Sequence, residues 1–156
     1  MPAGDFMHLA REEARRGITQ GDGGPFGALV VRDGIVISRA HNEVLARHDP
    51  TAHAEILAIR SASRRLKRHH LEDCLLYTTC EPCPMCLGAV AWARIPRIYF
   101  GCTRDDAADI GFSDRMIYDW ILGEPGIAPA ERIPLERKSC LKLFEQWRAT
   151  HGAMLY

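Results

Sequence analysis

The sequence predicts an α/β fold in three layers, a mixed β-sheet with helices on both faces. Three observations carry this prediction. A hairpin signal stands near the start, strand and helix patterns alternate after it, and 156 residues suffice for one substantial core but not two. Residues 1–156 are therefore expected to form a single domain.

Phe6, Leu9, Ala10, Ala14 and Ile18 recur at helical spacing and predict an amphipathic opening helix. Gly17 and the run Gly21-Asp22-Gly23-Gly24-Pro25 are expected to close it and form a loop. Ala28-Leu29-Val30-Val31 and Ile35-Val36-Ile37 flank Asp33-Gly34, the pair a tight hairpin turn favours. A polar loop then runs through His41 and Asn42 to Asp49-Pro50.

Thr51 is a candidate cap for the next helix, whose apolar face is Ala52, Ile56, Ile59 and Leu66. Leu75-Leu76-Tyr77-Thr78-Thr79 reads as a buried strand. Pro82 and Pro84 start a helix whose apolar residues, among them Leu87, Val90 and Trp92, point nearly all round it. Such a helix is expected to be buried. Pro96 ends it, and Ile98-Tyr99-Phe100-Gly101 predicts another strand. Beyond Asp105 come short helical pieces, a Gly/Pro-rich link from Gly123 to Pro129, and a weak strand candidate at Ile133-Pro134-Leu135. Cys140, Leu143, Phe144 and Trp147 form a final helical stripe.

Apolar residues at 47% and charged residues at 26% match an ordinary globular chain. Lys plus Arg equals Asp plus Glu at 20 each. That neutral balance argues against a nucleic-acid partner held through phosphates and for a small substrate. Met1 to Phe6 lacks the basic start and apolar stretch of a signal peptide, and no apolar run approaches a membrane span. The expected location is the cytoplasm. Six cysteines there point to metal or redox chemistry rather than a disulfide framework.

The strongest signal is His53-Ala54-Glu55 followed by Pro82-Cys83-Pro84-Met85-Cys86. Cys83 and Cys86 lie one turn apart at a helix start, where the positive end of the helix dipole favours thiolates. With His53 they make three ligands of one tetrahedral zinc ion and leave the fourth position to water. Zinc lowers the pKa of its water from ~15.7 to ~7, which at about 1.36 kcal/mol per unit is on the order of 12 kcal/mol. Glu55, two residues from His53, does not share its helix face and is placed to handle protons rather than bind metal. A lone Cys-x-x-Cys is equally a redox pair or half of a structural zinc site; the two motifs in this order form the zinc-deaminase pattern. Cys80, one turn before Cys83, is a competing ligand or a strand-end thiol, and Cys74, Cys102 and Cys140 read as core.

At these residues the chain resembles the cytidine deaminase superfamily, and within it the bacterial guanine deaminases. The resemblance extends to Gly23-Gly24-Pro25-Phe26-Gly27-Ala28, Asn42, Asp49-Pro50-Thr51-Ala52, Cys80-Glu81, Gly111-Phe112-Ser113-Asp114 and Tyr156. It implies a five-stranded sheet between helices, one Zn2+ per subunit, and hydrolysis of guanine to xanthine and ammonia in purine catabolism. It also implies a homodimer that exchanges C-terminal segments.

By the same resemblance Phe26 stacks on the base and Asn42 bonds its edge. The Ala54 backbone holds it, Trp92 lines the pocket, Asp114 is a second proton carrier beside Glu55, and Tyr156 closes the partner's pocket. Read from the residues alone, Phe26 and Trp92 are equally core, Asn42 a turn cap, Asp114 a helix cap and Tyr156 a frayed end. Ser113 departs from the acidic residue more usual there. The stretch from Arg47 to Glu55 also resembles the tRNA adenosine deaminases. The basic cluster of Arg60, Arg64, Arg65, Lys67, Arg68, His69 and His70 is then either a tRNA contact or a solvated helix end. Adenosine in tRNA, another base, a nucleoside or an aminotriazine thus remains the alternative substrate to guanine.

Overall fold

The structure is a computed structural model that describes residues 1–126, 128–151 and 155. Its opening helix, α1 (Ala3–Gln20), buries Phe6, Ala10, Ala14 and Gly17 and stops at Gly21. Gly17 thus sits inside the helix rather than closing it, and Ile18 lies outside the stripe at 55% exposure. Strands β1 (Gly27–Arg32) and β2 (Ile35–His41) pair antiparallel around Asp33-Gly34. Both turn residues have positive φ, 50° and 74°, as the tight turn that matches strand twist requires.

A short helix, α2 (Val44–Arg47), leads into α3 (Ala54–Leu66). Here the expected cap is displaced. Thr51 donates its backbone N–H and its hydroxyl to Asp49 at 2.8 and 2.7 Å, and His53 occupies the cap position of α3. Strand β3 (Cys74–Cys80), helix α4 (Pro84–Trp92) and strand β4 (Ile98–Cys102) follow, then α5 (Arg104–Asp109), α6 (Arg115–Leu122) and α7 (Arg137–His151).

The sheet runs β2-β1-β3-β4, with β1 antiparallel to both neighbours and β3 parallel to β4. Parallel strands need a crossover, and α4 supplies it. Side chains alternate along β1, so Ala28 and Val30 join one buried cluster and Leu29 and Val31 another. Ala54, Leu57 and Ala58 of α3 pack in the first; Phe6 and Ala10 of α1 pack in the second. A sheet covered on both faces explains why β1 reads as a continuous apolar run.

The three-layer α/β expectation holds, with differences at the C-terminal end. Among the described residues the sheet has four strands, not five. Ile133-Pro134-Leu135 forms no strand, because Pro134 lacks a donor for a ladder and no strand lies beside it; Ile133 and Leu135 are 73% and 81% exposed. The α7 stripe is helical as expected, yet Leu143 and Phe144 stand 64% and 69% exposed. Helix α4 is apolar throughout but buries only Cys86 and Val90, of which Val90 joins the cluster that holds Ala28, Val30 and Leu76 of the sheet and Leu57 of α3. Cys74 is core, whereas Cys102 and Cys140 are exposed. No helix among the described residues is long and apolar enough to cross a membrane.

One buried ionic cluster ties α1 to the sheet edge. His41, at the end of β2, places Nδ1 2.9 Å from Glu13 and Nε2 2.7 Å from Asp22. Burial alone would push its imidazolium down, but the hydrogen bonds to Glu13 and Asp22, and the charges of Glu13 and Glu43, raise its pKa overall. A group whose folded pKa is raised stabilises fully below its unfolded value, about 6.5, and loses that contribution as pH rises through the folded value. The urea midpoint is therefore expected to fall as pH rises above about 6.5, with a flatter profile in His41→Gln; equal slopes in the two proteins would disprove the linkage.

Candidate active site

Beyond the carboxyl end of β3 the first turns of α3 and α4 meet, and each presents metal-ligand side chains from its cap. His53 stands at the N-terminal cap position of α3 and Cys83 at that of α4, with Pro84 as the first helical residue and Cys86 in the first turn. His53 Nδ1 lies 3.6 Å from Cys83 Sγ and 3.5 Å from Cys86 Sγ, and all three ligand atoms fall within 4.8 Å of one another. A tetrahedral zinc ion with Zn–S of about 2.3 Å and Zn–N of about 2.05 Å needs nitrogen–sulfur separations of about 3.6 Å. The donor set therefore fits zinc in both chemistry and spacing. The Cys86 thiol, donating to Cys83, holds the Cys83 thiol well below the usual thiol range, and His53 adds to this.

Among the described residues no fourth histidine, cysteine or carboxylate joins the group. Cys80 does not compete. Its Sγ points to the Thr103 carbonyl at 3.7 Å, and burial, followed by the nearby Cys102, pushes its pKa up to about 11. A thiol held protonated there is a poor metal ligand.

Glu55, the second residue of α3, is 5% exposed and lies beside the ligands. Thr78 Oγ donates to its Oε1 at 2.9 Å, and Cys86 Sγ sits 3.6 Å from its Oε2. Burial raises the Glu55 pKa against the opposing hydrogen bonds. A carboxyl so placed has both an oriented oxygen and a proton affinity above the ordinary carboxylate range.

His53, Glu55, Cys80 and Cys83 line a cavity of about 550 Å³. Phe26, Phe112, Met85 and Ile117 give it apolar walls, with the Phe26 and Phe112 rings edge-on at 5.1 Å and 83°. A flat heteroaromatic ring suits such walls, and the few polar groups must then read its edge. Asn42 is one of them. Its Oδ1 accepts from the Gly24 and Val44 N–H groups at 3.2 and 3.1 Å, leaving the amide –NH2 without a partner among the described residues. The cap reading and the pocket reading of Asn42 are thus both true of different atoms. Gly23 allows this approach: a Cβ there would stand 2.1 Å from Asn42 Oδ1. Removing the acceptor in Asn42→Ala strands two N–H groups and is expected to lower unfolding stability by about 1–3 kcal/mol; an unchanged urea midpoint would disprove that role.

Asp114 stands at the cap position of α6 without capping it. Its Oδ1 instead accepts from Arg104 Nε at 3.1 Å on the cavity wall, while the Arg104 guanidinium lies 3.5 Å over the Tyr118 ring. Ala54 is fully buried as the first residue of α3, outside the cavity lining. Trp92 does not line this cavity: at the end of α4 it is 70% exposed. Tyr156 lies outside the described residues.

The sequence reading missed Thr78, Arg104 and the wall role of Phe112. Thr78 is a polar residue in an apolar strand, a usable signal. Nothing local marks Arg104. In the basic cluster Arg68 pairs with Asp73 and Arg65 donates to the Ile37 carbonyl at 3.0 Å.

Residues 2–102 match the family model described as the cytidine and deoxycytidylate deaminase zinc-binding region. The chain is 44% identical over 145 residues to the guanine deaminase of Bacillus subtilis (strain 168), covering 92% of each. The solved structure of guanine deaminase from Bacillus subtilis superposes with a TM-score of 0.93 at 41% identity, covering 100% of this chain and 99% of that one. The tRNA-specific adenosine deaminase of Aquifex aeolicus (strain VF5) is 48% identical over 95 residues, 61% of this chain and 62% of that protein.

Proposed function

Since this chain belongs to the cytidine and deoxycytidylate deaminase zinc-binding family, a family of zinc-dependent hydrolytic deaminases, we propose that its substrate is free guanine, hydrolysed to xanthine and ammonia. One observation carries the choice of base. The likeness to the Bacillus guanine deaminase runs through both chains, at 92% of each, whereas the likeness to the Aquifex tRNA enzyme stops at 61% of this one.

His53, Cys83 and Cys86 would hold zinc, which when bound supplies the Lewis acidity that brings water ionisation near neutral pH. The remaining chemistry belongs to the chain. Glu55 takes a proton from the attacking water and delivers it to a ring nitrogen of the base. It then carries a second proton to the exocyclic amino group, which leaves as ammonia as oxygen takes its place. Thr78 keeps one Glu55 oxygen fixed during both transfers. The base lies on Phe26 with Phe112 as the side wall, and the free Asn42 amide donates to an acceptor on its edge. Asp114, held by Arg104, is the second proton carrier, and the backbone of Ala54, between the lining residues His53 and Glu55, would help hold the base.

In this reading residues 1–156 form a single cytoplasmic domain that works as a homodimer with exchanged C-terminal segments. The exposed apolar side chains of α4 and α7 support it, and Tyr156 would then close the partner's pocket. Light scattering should give twice 17.5 kDa; a monomer that turns over guanine would refute the exchange.

The deciding experiment is ammonia release by zinc-loaded protein from guanine, guanosine, an aminotriazine, adenine and a tRNA containing the target adenosine. Turnover of guanine is expected. Turnover of tRNA adenosine without guanine would establish the second reading, which rests on the 48% identity to the Aquifex enzyme. Asn42→Asp separates the two jobs of that residue. It keeps the acceptor for Gly24 and Val44 but loses the donor, so the fold should hold while KM for guanine rises.

A further inference from the structure

A second cavity, of about 620 Å³, lies along the free edge of β2 between α1 and α3 and shares no lining residue with the first. Arg16 of α1, Arg39 of β2, Arg47 of α2, and Arg64 and Arg65 of α3 converge on it. Only two carboxylates line it, and both are engaged. Glu43 pairs with Arg47; Glu13 holds His41 Nδ1 at 2.9 Å and stands 4.0 Å from Arg16. Arg39, Arg64 and Arg65 have no carboxylate partner among the described residues; Arg64 and Arg65 donate only to the backbone carbonyls of Arg60 and Ile37.

The whole chain is electrically neutral, so gathering five guanidiniums around one hollow does not follow from a basic composition. Like charges drawn from four elements repel, and an anion with several oxygens placed between them removes that repulsion while accepting from their planar forks. The apolar part of the lining is Ala40 and Leu57, both buried, and the aromatic ring in it, His41, is itself buried and held through both nitrogens by Glu13 and Asp22. The hollow has the volume of a small-molecule site.

We propose that this cavity is a binding site for a compact polyanion, held through the linked phosphoryl groups of a pyrophosphate or triphosphate, free or as part of a nucleotide. The site is independent of the deaminase chemistry.

The test is calorimetric titration of zinc-loaded protein with inorganic tripolyphosphate, then with a nucleoside triphosphate, at low and high salt. Binding is expected, weakening with salt and similar for the two ligands, because nothing in the hollow recognises a base. Arg39→Gln combined with Arg64→Gln should weaken it at least tenfold; both residues are exposed, so the fold should survive, as circular dichroism would verify. Arg11→Gln combined with Arg15→Gln, on exposed α1, should change nothing and controls for bulk charge and for chelation of the zinc. Absence of binding at millimolar ligand, or equal affinity in the Arg39/Arg64 variant, would overturn the proposal. So would a folded RNA that binds through these arginines when neither small anion does. A nucleotide that binds much more tightly than tripolyphosphate would overturn the recognition by phosphates alone.

Discussion

Glu55→Gln is expected to lower the deamination rate by about 10²–10⁴-fold, the usual contribution of a positioned general acid–base. At about 1.36 kcal/mol per decade that is about 3–5 kcal/mol of transition-state stabilisation. The substitution preserves shape and leaves an amide oxygen for the Thr78 hydroxyl, so the buried hydrogen bond at 2.9 Å survives. What disappears is the group that accepts and returns protons. Zinc content should stay at the wild-type level, because Glu55 is not part of the ligand group. Steady-state ammonia release and metal analysis on one preparation settle the matter. Wild-type turnover by Glu55→Gln would remove the proton carrier from the scheme, and loss of zinc would show that Glu55 holds the metal instead.

Removal of the ion is the second large effect. Cys83→Ala leaves two protein ligands where three stood, the two sulfurs 3.6 and 3.5 Å from the His53 nitrogen, and zinc should be lost on dialysis against a mild chelator. Activity should then fall to background, both in the variant and in chelated wild type, and added zinc should restore only the wild type. The fold should remain, because the two apolar clusters on the sheet do not depend on the ion. Stability should nevertheless drop. A ligand present at a hundred times its Kd contributes about 2.7 kcal/mol, which for a chain of this size is about 5–10 °C in Tm. Unfolding on chelation would mark the site as structural, and full activity without zinc would end the metal assignment.

The metal site was legible because its chemistry is local. One turn of helix fixes the relation of Cys83 to Cys86, and three consecutive residues fix that of Glu55 to His53. The sheet was legible for a similar reason: β1 and β3 carry apolar runs that only a sheet covered on both faces can bury. Errors gathered where the outcome depends on neighbours the sequence does not name. Helix α4 reads as buried from its composition, yet its Leu87 and Trp92 are 38% and 70% exposed. Ile133-Pro134-Leu135 has strand-like residues but no ladder to join.

The sequence by itself determined the donor set, the free carboxylic acid beside it and the layer order of the fold, because each follows from spacing along the backbone or from apolar periodicity. Tertiary structure alone decided which atoms face the cavity. Arg104 and Phe112 reach the pocket from beyond β4, Thr78 holds Glu55 from inside β3, and Asn42 divides its two amide ends between the loop and the ligand space. Such encounters depend on packing between distant parts of the chain, which no local pattern encodes.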